Sequence, residues 1–223
     1  MFTHKTFELQ DLQTKNIDGK RFYVTPDDEY YPSITTVLSP RKSKGLQEWR
    51  DRVGPQVASY ISRTAARRGT QVHSICEDFL NNKSIEHHKE NFLAWCLFNQ
   101  LKETLTSRIN SIHAQECALY STKYRVAGRV DCIAEYNNEL SIIDFKTSRS
   151  SRNDEYNLDY YLQASAYAEM WEERTGQPIN QIVILVVTEN GEVQEFVKDK
   201  TEYIPQLLQA IDDFTVQWEK EKV

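Results

Sequence analysis

Apolar residues along this chain follow two rhythms, a period near four in its first half and a period of two in its middle. Trp49, Val53, Val57, Ile61 and Ala65 recur every four residues, the spacing of one helix face. Gly54-Pro55 interrupts that series, and proline suits the first turn of a helix, so two helices are predicted to meet there. Gly69-Thr70 reads as a second interruption, after which Val72, Ile75, Cys76 and Phe79 resume the pattern. A further helix is predicted from about 88 to 109, with Phe92, Trp95, Phe98, Leu101 and Leu105 on its apolar side.

The rhythm then shortens to two, which predicts strands at 115–121, 124–136 and 139–146. A polar loop over 149–157 leads to a helix over about 158–174, closed by Gly176 and Pro178. Residues 182–188 read as a buried strand, and Asn190-Gly191 as a hairpin turn into 193–197. A last helix carries Ile204, Leu207, Leu208, Ile211, Phe214 and Trp218 on one face. Upstream, residues 20–38 are rich in Tyr, Thr and Val and read as a short β-hairpin or an extended arm. This order predicts an α/β fold with a central mixed β-sheet flanked by helices, plus an N-terminal helical elaboration. It is read as one domain, with an arm and helical region over 1–110 and an α/β core over 111–223.

Charge refines the picture. The net charge is −6, yet residues 41–68 hold eight basic and two acidic residues, whereas 189–223 hold nine acidic and four basic. A basic front can serve a phosphate backbone whatever the total charge; the competing reading is a solvated helix face. The four cysteines, Cys76, Cys96, Cys117 and Cys132, lack the close pairing of a zinc or iron–sulfur site. Met1 is followed by no apolar signal core, and the longest apolar run, Ile182 to Val187, is too short to span a bilayer. A cytoplasmic protein with no membrane partner is expected.

The candidate chemistry lies around Asn137-Asn138. If these residues form a two-residue turn with Tyr136 facing Glu139, Asp131 falls directly opposite Asp144, with Cβ atoms about 5 Å apart. Like charges facing across adjacent strands are destabilising, and a divalent cation compensates them. Lys146 and Glu135 share that face. Surface acids with a lysine partner are the alternative, but Val130, Cys132, Ala134, Ile142 and Ile143 point to strands buried on at least part of both faces.

Gly128-Arg129-Val130-Asp131, Ile142-Ile143-Asp144-Phe145-Lys146-Thr147, and then Gln163 and Tyr167, resemble the core of the PD-(D/E)XK nuclease superfamily in its RecB-like branch. Val130 stands where the superfamily's name has proline. Arg68-Gly69-Thr70-Gln71-Val72-His73, with Glu77, looks like the upstream helix that supplies a histidine in that branch. Tyr31-Pro32-Ser33-Ile34-Thr35-Thr36-Val37-Leu38 and Glu116 resemble more loosely the family of single-strand-preferring DNA exonucleases that includes the mitochondrial genome maintenance exonuclease and phage and bacterial relatives.

The resemblance implies a restriction-endonuclease-like core and a Mg²⁺-dependent deoxyribonuclease. Mn²⁺ would fit the same ligands, and no iron–sulfur cluster is expected. Asp131 and Asp144 would hold the ion with the Phe145 carbonyl and His73, and Glu116 could reach a second ion. Lys146 would orient or deprotonate the attacking water, or act as an electrostatic clamp. Glu77, one turn beyond His73, could orient its ring. Gln163 and Tyr167 share a helix face and either hold the site or DNA, or are ordinary surface residues. Thr147 and Ser148 could donate to phosphate, and Arg67, Arg68, Arg149 and Arg152 could clamp the backbone. Tyr30, Tyr31, Trp49 and Tyr124 are stacking candidates, with core packing as the competing explanation. His4, His87, His88 and His113 read as structural or exposed. The expected partner is DNA, single-stranded with a free end, in replication, recombination or repair in a phage or bacterium. A structure- or site-specific endonuclease and a non-catalytic DNA-binding module are the alternatives.

Overall fold

A computed structural model describes residues 1–221 apart from 6 and 8, and, at 42–44, the backbone alone. Lys42, Lys44 and Lys222 of the charge pattern above therefore lie outside the described side chains.

In chain order the elements are β1 (Thr3–His4), β2 (Thr14–Ile17), β3 (Lys20–Val24), β4 (Tyr30–Pro32), α1 (Ile34–Leu38), α2 (Ser43–Val53), α3 (Pro55–Leu80) and α4 (Phe92–Arg108). They continue with β5 (Ile109–Ser121), β6 (Val126–Tyr136), β7 (Glu139–Ser148), α5 (Asp154–Thr175), β8 (Gln181–Thr188), β9 (Val193–Asp199) and α6 (Ile204–Glu221). Six strands form one sheet in the order β1-β5-β6-β7-β8-β9, and β2, β3 and β4 form a small second sheet. The large sheet is mixed: β7 and β8 run parallel, joined by the α5 crossover, while β5, β6 and β7 are successively antiparallel.

Each face of the sheet carries its own core. Along β8, Ile182, Ile184 and Val186 face the α1, α5 and α6 side. Val183, Leu185 and Val187 face α3 and α4. A strand covered on both faces reads as an unbroken apolar run, which is why residues 182–187 looked so in the sequence.

Gly54, with φ 86, caps α3 and separates it from α2, and Pro55 opens α3 as expected. Gly69-Thr70 does not break that helix, which continues to Leu80. A helical glycine costs only about 1 kcal/mol relative to alanine, and the helix absorbs it. On α4 the buried positions are Ala94, Leu97, Phe98, Leu101 and Leu105, while Phe92 is 76% exposed. Residues 20–38 divide: β3 and β4 form the hairpin, and Ile34–Leu38 is a short helix because the Ser33 side chain accepts from the Thr36 amide. Helix α5 begins four residues earlier than expected, at Asp154, with Asn153 as its cap. Among the described residues, no helix is long and apolar enough to cross a membrane.

Candidate active site

The hairpin between β6 and β7 is closed by Asn137 and Asn138, both left-handed with φ 52 and 69. Its ladder runs in the expected register from Tyr136↔Glu139 to Cys132↔Ile143 and stops one step short of Asp131 and Asp144. The two acids are therefore not a hydrogen-bonded cross-strand pair. The strands part, and Asp131 Oδ2 accepts the Phe145 N–H at 2.9 Å in place of a ladder bond. Asp131 thus closes the crotch of a fork.

The pleat changes at the same level. Val130 and Ile133, three residues apart, both join the α5-side core, while Cys132 and Ala134 face α3. On β5, Ala114 and Cys117 likewise share one side, and between them Glu116 has φ 44. A left-handed non-glycine residue inside a strand costs on the order of 1–3 kcal/mol and persists only where its surroundings enforce it. Arg129 supplies part of that enforcement, donating to the Glu116 carbonyl and, at 2.6 Å, to Asp11.

The kink gathers side chains from three elements. His73, Glu116 and Asp131 each present a ligand atom, all within 4.8 Å of one another. His73 Nε2 lies 2.6 Å from the Phe145 carbonyl, which can only accept, so Nε2 carries the proton. Nδ1 then faces Asp131 Oδ2, 3.5 Å away. Burial first, and then the charge of Asp131, pushes Glu116 up to about 7, with Glu77 adding to the push from α3.

Asp144 is 1% exposed. Its Oδ2 touches Lys146 Nζ, and no donor among the described residues reaches its Oδ1. Burial, reinforced by Asp131 and opposed by Lys146, pushes Asp144 up to about 6. Burial alone would lower the Lys146 pKa, but Asp144 and Asp131 together hold it above the ordinary lysine value. The Lys146 ammonium also lies 4.8 Å over the ring of Tyr160. A buried carboxylate oxygen without a donor, beside three converging ligand atoms and a backbone carbonyl, fits a divalent cation with mixed oxygen and imidazole ligation.

Gln163 and Tyr167 are interior rather than surface residues. Gln163 Nε2 donates to the Tyr167 hydroxyl at 3.1 Å, and Tyr167 is buried. Its ring lies on Gly128, where an added Cβ would stand 2.6 Å from Tyr167 Cε1. Burial and the charges of Asp144 and Asp131 keep its hydroxyl protonated. The Ser148 hydroxyl donates to the Ser150 carbonyl. Arg67 and Arg149 are exposed.

Arg68 departs from the expected backbone clamp: it is buried and paired with Glu189, so its charge is spent inside the protein. Arg152 is held by Asn157 at 2.6 Å and lies 5.0 Å over the Tyr160 ring. Glu135 pairs with Lys5. Of the aromatic candidates, Tyr31 is buried, Trp49 is half-buried, Tyr124 donates to Glu169, and Tyr30 is 45% exposed. Tyr160 carries no sequence signal. Arg129 stands inside the Gly128–Asp131 motif, but no local pattern foretells its bond to a kinked carbonyl across a strand pair.

A sequence profile of the PD-(D/E)XK nuclease superfamily matches residues 45–223. The chain is similar to mitochondrial genome maintenance exonuclease 1 of Mus musculus, 29% identical over 134 residues that cover 54% of this chain and 38% of that protein. For the Homo sapiens protein of the same name the figures are 26% over 146 residues, covering 61% and 42%. The chain thus matches less than half the length of these relatives. A crystal structure of a candidate exonuclease from Eubacterium rectale aligns with a TM-score of 0.37 and 15% identity over 68% of each chain.

Proposed function

The chain belongs to the PD-(D/E)XK nuclease superfamily, and on that premise we propose that it is a divalent-metal-dependent deoxyribonuclease that degrades single-stranded DNA from a free end. The observation that carries this reading is the convergence of His73, Glu116 and Asp131 at the fork, in the field of the buried Asp144–Lys146 pair, with one Asp144 oxygen lacking a donor among the described residues. Similarity to exonucleases supports action from an end. The exposed Arg67 and Arg149 support a phosphate-bearing substrate.

His73, Glu116 and Asp131 would hold Mg²⁺ or Mn²⁺, with Asp144 and the Phe145 carbonyl as the adjoining oxygen donors. A cation there would lower the pKa of the attacking water and offset charge on the phosphorus transition state. The remaining work falls to the chain. Water attacks phosphorus, the bond to the leaving oxygen breaks, and that oxygen takes up a proton. Lys146 is positioned to orient the water and to face the developing phosphate charge; its raised pKa favours an electrostatic clamp over a base. Asp144 holds Lys146, and Tyr160 limits where the ammonium can swing. Gln163 and Tyr167 back the fork through Gly128.

End-labelled linear and closed circular DNA, single- and double-stranded, incubated with Mg²⁺ or EDTA, tests the reading. Digestion of linear single strands with Mg²⁺ and none with EDTA is expected. Cleavage of circular single strands would replace the exonuclease reading by an endonuclease one, and no cleavage of any DNA would remove both.

A further inference from the structure

The last turn of α3, beyond the fork, carries a second group of metal-capable side chains. Asp78 lies there, and a 3-10 turn over Glu86–Glu90 folds back against it, bringing His87 and His88. Both imidazoles aim Nε2 at one oxygen: His88 Nε2 is 2.9 Å and His87 Nε2 is 3.5 Å from Asp78 Oδ2. Their ring centroids are 3.9 Å apart. The three ligand atoms all lie within 4.8 Å of one another.

We propose that Asp78, His87 and His88 form a structural site for a transition-metal dication, with Zn²⁺ as the best match. Two imidazoles and one carboxylate are a zinc donor set, whereas Mg²⁺ favours oxygen ligands. Around a tetrahedral zinc with bonds of about 2.0–2.1 Å, ligand atoms are spaced roughly 3.3 Å apart. The observed separations of 2.9 and 3.5 Å lie on either side of that spacing. Hydrogen bonding alone accounts for His88, but at 3.5 Å His87 gains little from the same oxygen.

The other Asp78 oxygen faces Lys83 Nζ at 3.6 Å. That arrangement leaves Oδ2 for the ion and Oδ1 for an outer partner of the kind that orients ligating carboxylates. His88 is buried and His87 is exposed, so the ion has an entry path and water has room at the fourth position. The ion would clip the α3–α4 connection to the helix that bears His73, without touching the reacting groups.

The test uses the full metal-free chain, with Zn²⁺ as the titrant and Co²⁺ as the spectroscopic probe. The fork could also take these ions, so a His73→Gln/Asp131→Asn variant removes it, and wild type in saturating Mg²⁺ serves as a second background. One equivalent of Zn²⁺ is expected in both, with intense visible Co²⁺ bands of tetrahedral coordination. Adding His87→Gln, at an exposed position, should weaken Zn²⁺ roughly 100-fold or more, erase the bands, and leave both the metal-free Tm and the Mg²⁺-dependent activity unchanged. Absence of Zn²⁺ binding in the two backgrounds, or binding that His87→Gln does not weaken, would overturn the proposal.

Discussion

The two ends of the β6–β7 hairpin are made by the same pair of strands and come to opposite states. At the turn the polar groups find partners within the protein. The Asn137 amide donates to the Arg108 carbonyl at 2.8 Å, Asn110 donates to Asn138, and the Tyr136 hydroxyl donates to Glu195. At the fork the ladder lapses, a carboxylate oxygen is buried without a donor, and a neighbouring strand is bent into a left-handed residue. One end is closed by the protein's own groups; the other is left open for the ion proposed above. Stability and chemistry are thus separated along a single hairpin.

Substitutions at the fork should divide activity from stability. Asp131→Asn, Asp144→Asn and Lys146→Ala are each expected to lower kcat on the order of 10²–10³-fold or more. The metal-free Tm of the Asp131→Asn protein should be unchanged or higher, because a like charge leaves the cluster, whereas Asp144→Asn strands the buried Lys146 ammonium and should lower it. Single-turnover digestion paired with thermal melts checks this; a parallel fall of activity and Tm in Asp131→Asn would place the fork among ordinary structural elements. Glu116→Gln should chiefly raise the Mg²⁺ concentration needed for half-maximal rate, by about 10–100-fold, as read from a metal titration.

The ion itself should sharpen the contrast. Glu116 and Asp144 have raised pKa values of about 7 and about 6. The folded metal-free protein therefore binds protons that the unfolded chain, with ordinary acids, has released, and its stability should fall as pH rises from about 4 to about 7. Mg²⁺ competes with those protons, so the Tm gain it gives should be larger at pH 8 than at pH 5.5. At a hundredfold excess over Kd the gain is about 2.7 kcal/mol, or roughly 5–10 °C for a chain of this size. Differential scanning fluorimetry with and without EDTA measures it, and a gain independent of pH would count against these acids as the ligands.

Much of the frame was legible because its signals are local. Asn137-Asn138 set the register of β6 and β7, Gly54-Pro55 divided two helices, and Gly176 with φ 73 ended α5. The positions of Asp131, Asp144 and Lys146 followed from that register to within the last ladder step. What escaped depends on partners distant in the chain. Arg68 looked like a free cation until Glu189 closed on it, and Gly69 looked like a breaker inside a helix that runs on to Leu80. The twist at Glu116 arises where two strands and Arg129 meet, and no window of sequence contains all three.

Two milder substitutions probe the supports. Gly128→Ala drives a methyl group into the Tyr167 ring and should cost about 1–3 kcal/mol, with a weaker response to Mg²⁺, measured by urea unfolding with and without the ion. Asn138→Val, at a φ of 69, should cost about 1–2 kcal/mol and leave kcat alone. A kcat loss there would show that the two ends are not independent.

Helix α3 runs without a break from Pro55 to Leu80, 26 residues, a rod of about 39 Å at 1.5 Å per residue. Exposed Arg63 and Arg67 ride on it upstream of His73. One continuous rod thus fixes the spacing between those arginines and the imidazole, so a bend introduced between them would shift one against the other.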